Sequence, residues 1–283
     1  MRTKRFGPTG LDLPVIGQGT WDVPESGAAR DEAKRAIRRG IELGMTHLDT
    51  AEMYGAGAIE TILGQAIEGI ARETLFITSK VLPSNAGYDA TIAACERSLR
   101  RLKLDYLDLY LLHWPSDTPL QETMRALHDL VQQGKTRFAG ISNFDAEDMH
   151  DAARFLGDVP LACNQVLYHL KERGPEHKLI PEANAGDIAI VAYTPFGRGR
   201  FPRDAAAPEG VLGKIAARHD ATPRQVILAF LTRHSNVFTI PKASSVAHVE
   251  ENARASDVVL DDDDIRQIDA AFPIGRERPL ATL

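Results

Sequence analysis

Short apolar runs alternate along this chain with longer stretches in which apolar residues recur every three or four positions. The first rhythm is that of a buried strand, the second that of a helix with one face turned inward. Residues 3–14 stand apart: two short runs flank Gly7-Pro8-Thr9-Gly10 and read as a hairpin with that tetrapeptide as its turn. The alternation begins at Val15-Ile16-Gly17. Further strands are expected at 46–49, 75–81, 106–112, 136–141, 161–166, 188–193 and 237–240. Between and after them the pattern predicts helices near 30–43, 59–70, 89–102, 121–132, 146–155, 210–219, 223–233 and 246–254. In the first of these, Ala33, Ala36, Ile37, Ile41 and Leu43 fall mostly on one face, and Gly44 is its stop. The region 167–186 is less regular, with one helix expected near 178–185. The last helix, 265–272, follows the run Asp261-Asp262-Asp263-Asp264. Carboxylates there suit the positive end of a helix dipole, and no EF-hand spacing follows that would point to calcium.

Strand after helix, eight times over, is the signature of parallel βαβ units. The polar residues that close successive runs are Asp49, Lys80, His113, Ser142, Gln165, Tyr193 and Lys242, separated by 31, 33, 29, 23, 28 and 49 residues. A βαβ unit takes about 30 residues, and the last gap has room for an extra helix. An open doubly wound sheet would carry a glycine-rich phosphate turn after its first strand. The stretch Gly17-Gln18-Gly19-Thr20-Trp21 is not that turn. The expectation is therefore a closed (β/α)8 TIM barrel of the α/β class. It would form a single domain over residues 1–283, with an N-terminal β-hairpin and extra helices near the C-terminus. In such a barrel every strand end faces one mouth.

Composition adds exclusions. The chain has 283 residues, 43% of them hydrophobic, and a net charge of −6 with no Lys/Arg block, which argues against a nucleic-acid partner. Cys95 and Cys163 lie in separate apolar contexts and read as free thiols in a reducing compartment. No apolar run approaches the roughly 18 residues of a membrane span, and the first residues lack an apolar export segment, so a cytoplasmic location is expected. No H-x-x-x-H pair or His/Cys/carboxylate cluster occurs, so no metal is expected.

Four strand-end residues suggest chemistry. Tyr54 is a proton donor candidate, Lys80 a cation to lower its pKa, Asp49 an anchor for Lys80, and His113 a group to aim a substrate. Each has a plain alternative: a helix cap, a packing aromatic, a structural ion pair, a core histidine such as His47. A Schiff-base role for Lys80 would need a neutral amine, which the neighbouring Asp49 opposes.

With those residues in hand, the chain resembles the aldo-keto reductase family over nearly its whole length. The resemblance rests on G-x-G-T-W at 17–21, DTAEMYG, the lysine of FITSKV, LYLLHW, GISNF, NQVLYH, AYTPFG, IPKA and EEN. It looks most like short bacterial members acting on methylglyoxal and similar carbonyls. The resemblance implies NAD(P)H-dependent reduction of small aldehydes or ketones to alcohols, with Asp49, Tyr54, Lys80 and His113 as a catalytic tetrad. Ser142, Asn143 and Gln165 would bind the nicotinamide carboxamide, and Tyr193 would stack on its ring. Thr194, Pro195, Phe196 and Gly197, with Arg198 and Gly199, would follow the pyrophosphate. Lys242, Ser244, Ser245, His248, Glu251 and Asn252 would take the adenosine end. NADP(H) is the expected cofactor, with NAD(H) possible, because Ala243 and His248 stand where Ser and Arg are usual; a histidine lacks the permanent planar fork of arginine. Trp21, Met53, Val81 and Trp114, with Phe196, would line the substrate pocket. The segment 273–283 is short, which implies an open pocket, and Arg276 and Arg278 are expected to be solvated. A monomer is expected. The alternative reading is a nicotinamide-sensing protein that acts through a partner, as channel β-subunits resembling this family do.

Overall fold

The computed structural model describes residues 1–198 and 201–282. The hairpin is present: β1 (Thr3–Arg5) pairs antiparallel with β2 (Asp12–Pro14) around a 3-10 turn at Gly7–Thr9. That turn is a plug. The Phe6 ring lies 5.3 Å from Phe76 and 4.9 Å from Phe238, centroid to centroid, inside the barrel end. Gly7 has φ +47°, and a Cβ there would sit 2.6 Å from the Ala162 carbonyl oxygen, so no larger residue fits.

Eight parallel strands follow in chain order around one sheet. They are β3 (Gln18–Gly19), β4 (His47–Asp49), β5 (Phe76–Val81), β6 (Leu107–Leu112), β7 (Thr136–Ser142), β8 (Leu161–Leu167), β9 (Ala189–Tyr193) and β10 (Val237–Thr239). The first strand closes on the last. The Gly17 N–H donates to Thr239 O at 2.8 Å, the Thr239 N–H to Val15 O at 3.0 Å, and the Gly19 N–H to Pro241 O at 3.2 Å. A Cβ on Gly17 would meet His47 O at 2.6 Å and one on Gly19 would meet Ile240 O at 2.6 Å. This Gly-x-Gly therefore serves strand closure, not a phosphate turn.

The helices are α1 (Gly27–Glu42), α2 (Ala58–Ala66), α3 (Tyr88–Leu102), α4 (Leu120–Gln132), α5 (Ala146–Phe155), α6 (Leu179–Ala185), α7 (Arg203–Ala206), α8 (Val211–Arg218), α9 (Pro223–Leu231), α10 (Val246–Arg254) and α11 (Asp262–Ala271). Helix α2 ends four residues before the expected 70. Gly69 sits at φ +79°, and the Arg38 guanidinium takes the Ala66 carbonyl at 2.5 Å, which satisfies the helix end there. Among the described residues, three helices lie in the long gap before β10 where two were expected. The acidic run is a helix start, as expected. Asp261 and Asp264 form a reciprocal capping box, and Asp264 also binds Arg218, the last residue of α8, and His219, which follows it.

Every residue of β5 and β6 is buried, because both faces of a barrel strand are covered. Phe76, Leu109, Leu111, Val191 and Phe238 pack inside with Phe6, whereas Ile77, Val81, Tyr110 and Leu112 pack outward against the helices. Among the described residues no helix is long and apolar enough to cross a membrane, and no group of three or more His, Cys, Asp or Glu is placed to share a metal.

Candidate active site

The strand ends converge on one mouth. Asp49 closes β4, Lys80 is the penultimate residue of β5, His113 follows β6, Ser142 closes β7, Gln165 lies in β8 and Tyr193 closes β9. Inward residues on a strand recur every second position, which sends Lys80 into the barrel and Val81 out of it.

The Lys80 ammonium is fully buried and donates to Asp49 Oδ1 at 2.5 Å, to the Thr50 carbonyl at 2.8 Å and to the Tyr54 hydroxyl at 3.3 Å. The second Asp49 oxygen accepts from Gln165 Nε2 at 2.8 Å. Ser142 Oγ donates to the Gln165 carbonyl at 2.8 Å. Asn143 Nδ2 donates to the His113 carbonyl at 2.9 Å and to Ser142 Oγ at 3.1 Å, and its Oδ1 accepts from the Tyr193 hydroxyl at 2.7 Å. Asn143, after β7, holds φ +67° and Thr194, after β9, φ +55°, so two non-glycine residues at strand ends on either side of β8 sit in the left-handed region. For a β-branched threonine that conformation is strained, and such strain gathers at sites where geometry matters.

Burial governs the charges. It pulls Lys80 down, but Asp49 and Tyr54 more than offset this, and the ammonium is held above its usual pKa. Burial pushes the Asp49 carboxyl up, against Lys80 and Gln165. Burial, with Lys80 second, depresses His113 to about 2, so the imidazole is neutral. The expectation that Lys80 lowers the Tyr54 pKa fails in net sign: burial raises it, Lys80 pulls back without overcoming this, and Asp49 adds to the rise. The phenol is therefore firmly protonated at neutral pH.

A cavity of about 290 Å³ opens over this floor. Asp49, Tyr54, His113, Ser142, Asn143, Gln165, Tyr193, Thr194, Pro195, Phe196, Arg198 and Lys242 all border it, as do Trp21, Met53 and Trp114. The Trp114 ring stacks on His113 with centroids 3.8 Å apart, and Arg198 lies 4.2 Å from the Trp21 ring centroid. Val81 does not border the cavity. It is fully buried and faces the helices, because its neighbour Lys80 takes the inward position. Gly197 is not on the cavity wall either; it sits in the turn closed by its N–H to Thr194 O at 2.9 Å. Gly199 lies outside the described residues. Gly19 and Ile240 also line the cavity. Both lie in quoted motifs, G-x-G-T-W and IPKA, but neither was expected to line the site; both are there through barrel closure.

Of the adenosine-end residues, Lys242 borders the cavity, and the others lie beyond it, Ser244 and Ser245 before α10 and His248, Glu251 and Asn252 along it. Ser245 caps the helix by accepting the His248 N–H at 3.4 Å. Ser244 Oγ is buried without a partner among the described residues, His248 is exposed and Asn252 is buried. Glu251 accepts from the Thr222 hydroxyl at 2.8 Å. In the segment after α11, Glu277–Leu280 line a different cavity with residues of α5 and α6, and Glu277 pairs with Lys178 at 3.1 Å.

Comparison with known proteins gives the family. Residues 15–272 match the model of the aldo/keto reductase family. The chain belongs to that family. This reductase is 43% identical over 263 residues to methylglyoxal reductase YeaE of Escherichia coli, covering 93% of this chain and 92% of the relative. It is 36% identical to a glyoxal reductase of Bacillus subtilis, covering 92% and 90% of the two chains. Among solved structures, an aldo/keto reductase from Klebsiella pneumoniae in complex with NADP and acetate matches with a TM-score of 0.91 at 42% identity, over 99% of each chain. The same organism supplies a complex with NADPH that matches at TM-score 0.92 and 42% identity, over 100% of this chain and 99% of that one. The protein is an oxidoreductase of the α/β barrel class.

Proposed function

We propose that this reductase converts small aldehydes, ketones and α-dicarbonyls such as methylglyoxal to alcohols with NADP(H), and that Tyr54 is the proton donor. The observation that carries the reading is the contact of the Tyr54 hydroxyl with a lysine that Asp49 keeps charged, at the floor of an apolar-walled cavity.

The residues fit a nicotinamide dinucleotide. Asn143 and Gln165 bring amide groups to the wall, beside the half-buried ring of Tyr193. The unpartnered Ser244 hydroxyl and the α10 N-terminus suit an anion near Lys242. Such a cofactor supplies the hydride that side chains cannot.

The chain's own part is proton control. Reduction leaves an alkoxide, which is far more basic than a phenolate, so a donor with a raised pKa still delivers its proton. The Lys80 ammonium beside Tyr54 then stabilises the phenolate left behind. His113, being neutral, cannot be the acid; it can donate one N–H to the carbonyl oxygen and orient it. Trp21, Met53, Trp114 and Phe196 exclude water and accept apolar substituents. The relatives that reduce methylglyoxal and glyoxal support the substrate class.

The test is NADPH oxidation with methylglyoxal and 4-nitrobenzaldehyde by wild type and Tyr54→Phe. Turnover in the wild type that falls by about a hundredfold or more in the variant is expected for loss of a general acid. Turnover that survives in Tyr54→Phe sinks the assignment.

A further inference from the structure

Two residues before Tyr54, the chain buries a carboxylate that does not border the cavity. Glu52 is 8% exposed. A buried charge is costly unless its oxygens are satisfied, and among the described residues its hydrogen-bonding partners come from one segment, the stretch from the end of β5 into α3. Glu52 Oε1 accepts the Leu82 N–H at 2.8 Å and the Asn85 side-chain amide at 2.9 Å. The Arg97 guanidinium stands 3.5 Å from Oε2. The Glu52 backbone N–H donates to the Lys80 carbonyl at 3.3 Å. Backbone and side chain thus fasten the same residue to the strand end that carries Lys80.

Tyr54 follows immediately. Its N–H donates to the Ala51 carbonyl at 3.1 Å, which closes residues 51–54 into a turn with Glu52 inside it. The receiving segment is itself braced, because the Thr91 hydroxyl binds the Asn85 carbonyl at 2.9 Å. The contact this clamp spans is sensitive. Tyr54 and Lys80 stand 3.3 Å apart, already at the long end for a hydrogen bond. A small displacement of the turn would break it.

We infer that Glu52 is a positioning residue for proton donation: its carboxylate fixes the turn bearing Tyr54 against the strand end bearing Lys80. The inference rests on the reading of Tyr54 as proton donor. It names a role for a side chain that touches neither substrate nor cofactor. One oxygen makes both the Leu82 and the Asn85 contacts, so an amide oxygen can replace it, whereas a methyl group cannot.

The experiment compares wild type, Glu52→Ala, Glu52→Gln, Asn85→Ala and Tyr54→Phe. Turnover of methylglyoxal is expressed per NADPH-binding site, and the sites and their Kd are read from quenching of tryptophan fluorescence. Glu52→Ala is expected to lower kcat by about tenfold to a hundredfold, the penalty of a misplaced catalytic group. KM and the NADPH Kd stay within about twofold, and the solvent isotope effect on kcat grows because proton transfer becomes limiting. Glu52→Gln returns kcat to within about threefold of wild type, since position is kept. Asn85→Ala gives a weaker form of the same signature and serves if Glu52→Ala does not fold. A loss confined to melting temperature or to the number of binding sites, with normal turnover per site, overturns the inference. So does a Glu52→Gln as impaired as Glu52→Ala, or an unchanged kcat in Asn85→Ala where Glu52→Ala is unfolded. Full activity in Tyr54→Phe would instead overturn the proton-donor reading beneath it.

Discussion

Gln165 and Asp49, from opposite parts of the barrel, share a hydrogen bond of 2.8 Å. The amide takes one oxygen of a carboxylate whose other oxygen holds Lys80. The wall residues Ser142, Asn143 and Tyr193 connect to Gln165 through successive hydrogen bonds. The proposed cofactor wall and the proposed proton-donating floor are therefore one bonded unit, centred on a single negative charge. Removing that charge tests the unit. Asp49→Asn keeps the shape but leaves the fully buried Lys80 without a counter-ion. Breaking a buried pair in this way costs about 3–5 kcal/mol. Urea denaturation should show that loss, with kcat falling alongside. A loss below about 1 kcal/mol would mean that Lys80 is neutral in the folded protein.

Acid should destabilise the protein through its buried histidines. Burial, with Lys80 second, lowers His47 from 6.5 to about 3, and His113 falls to about 2 for the same reasons. Both folded values lie below the unfolded one, so below pH 6.5 the unfolded state binds protons that the folded state refuses. Stability is complete above that pH and is lost as pH falls toward 3. At pH 5 each histidine should cost about 2 kcal/mol relative to pH 7. Denaturation midpoints across that interval measure the slope. Partly buried His234 is likewise lowered, to about 4, by burial first and Arg233 second, so His47→Gln, at a site 5.7 Å from the Phe6 ring and away from the cavity, should flatten the slope by about a third. An unchanged slope in that variant would remove His47 from the account.

The barrel and most of the site were legible because of what a barrel does. Asp49, Lys80, His113, Ser142, Gln165 and Tyr193 each end an apolar run, and a closed parallel sheet has one place to put all of them. Strand parity was also legible and was not used for Val81: an inward Lys80 sends its neighbour outward. The net rise in the Tyr54 pKa could not be read from the chain, because it depends on how deeply packing encloses the phenol. Glu52 was invisible for a related reason. A lone glutamate between Ala51 and Met53 carries no signal until the fold brings Leu82, Asn85 and Arg97 to it.

Val81 offers a check on that parity. It packs among the residues between barrel and helices, with no exposed surface. Val81→Ala should cost about 1–3 kcal/mol through lost burial and a small cavity. The ratio of kcat/KM between methylglyoxal and 4-nitrobenzaldehyde should not change, because no pocket wall is altered. A shifted ratio at normal cofactor affinity would place Val81 on the substrate side after all.

The phosphate end of the proposed cofactor is where this chain departs from its family's usual residues, and its charges there are mixed. Lys242 borders the cavity. The Glu32 carboxylate, however, takes the Val246 N–H at the start of α10 at 3.3 Å, so one donor suited to an anion is already engaged. Arg35 sits 2.6 Å from that carboxylate and tempers its charge. His248 is exposed at the same helix end. Lys242→Ala should therefore raise the Kd of NADPH by about tenfold, the value of one partly screened charge pair, and leave that of NADH nearly unchanged. His248→Arg should act in the opposite sense and tighten NADPH by about threefold or more, because arginine offers a permanent planar fork. Fluorescence titration of both cofactors with each variant measures the ratio directly. If Lys242→Ala weakened the two cofactors equally, Lys242 would be meeting the shared pyrophosphate rather than the 2′-phosphate. The basis of any NADP preference would then lie elsewhere on α10.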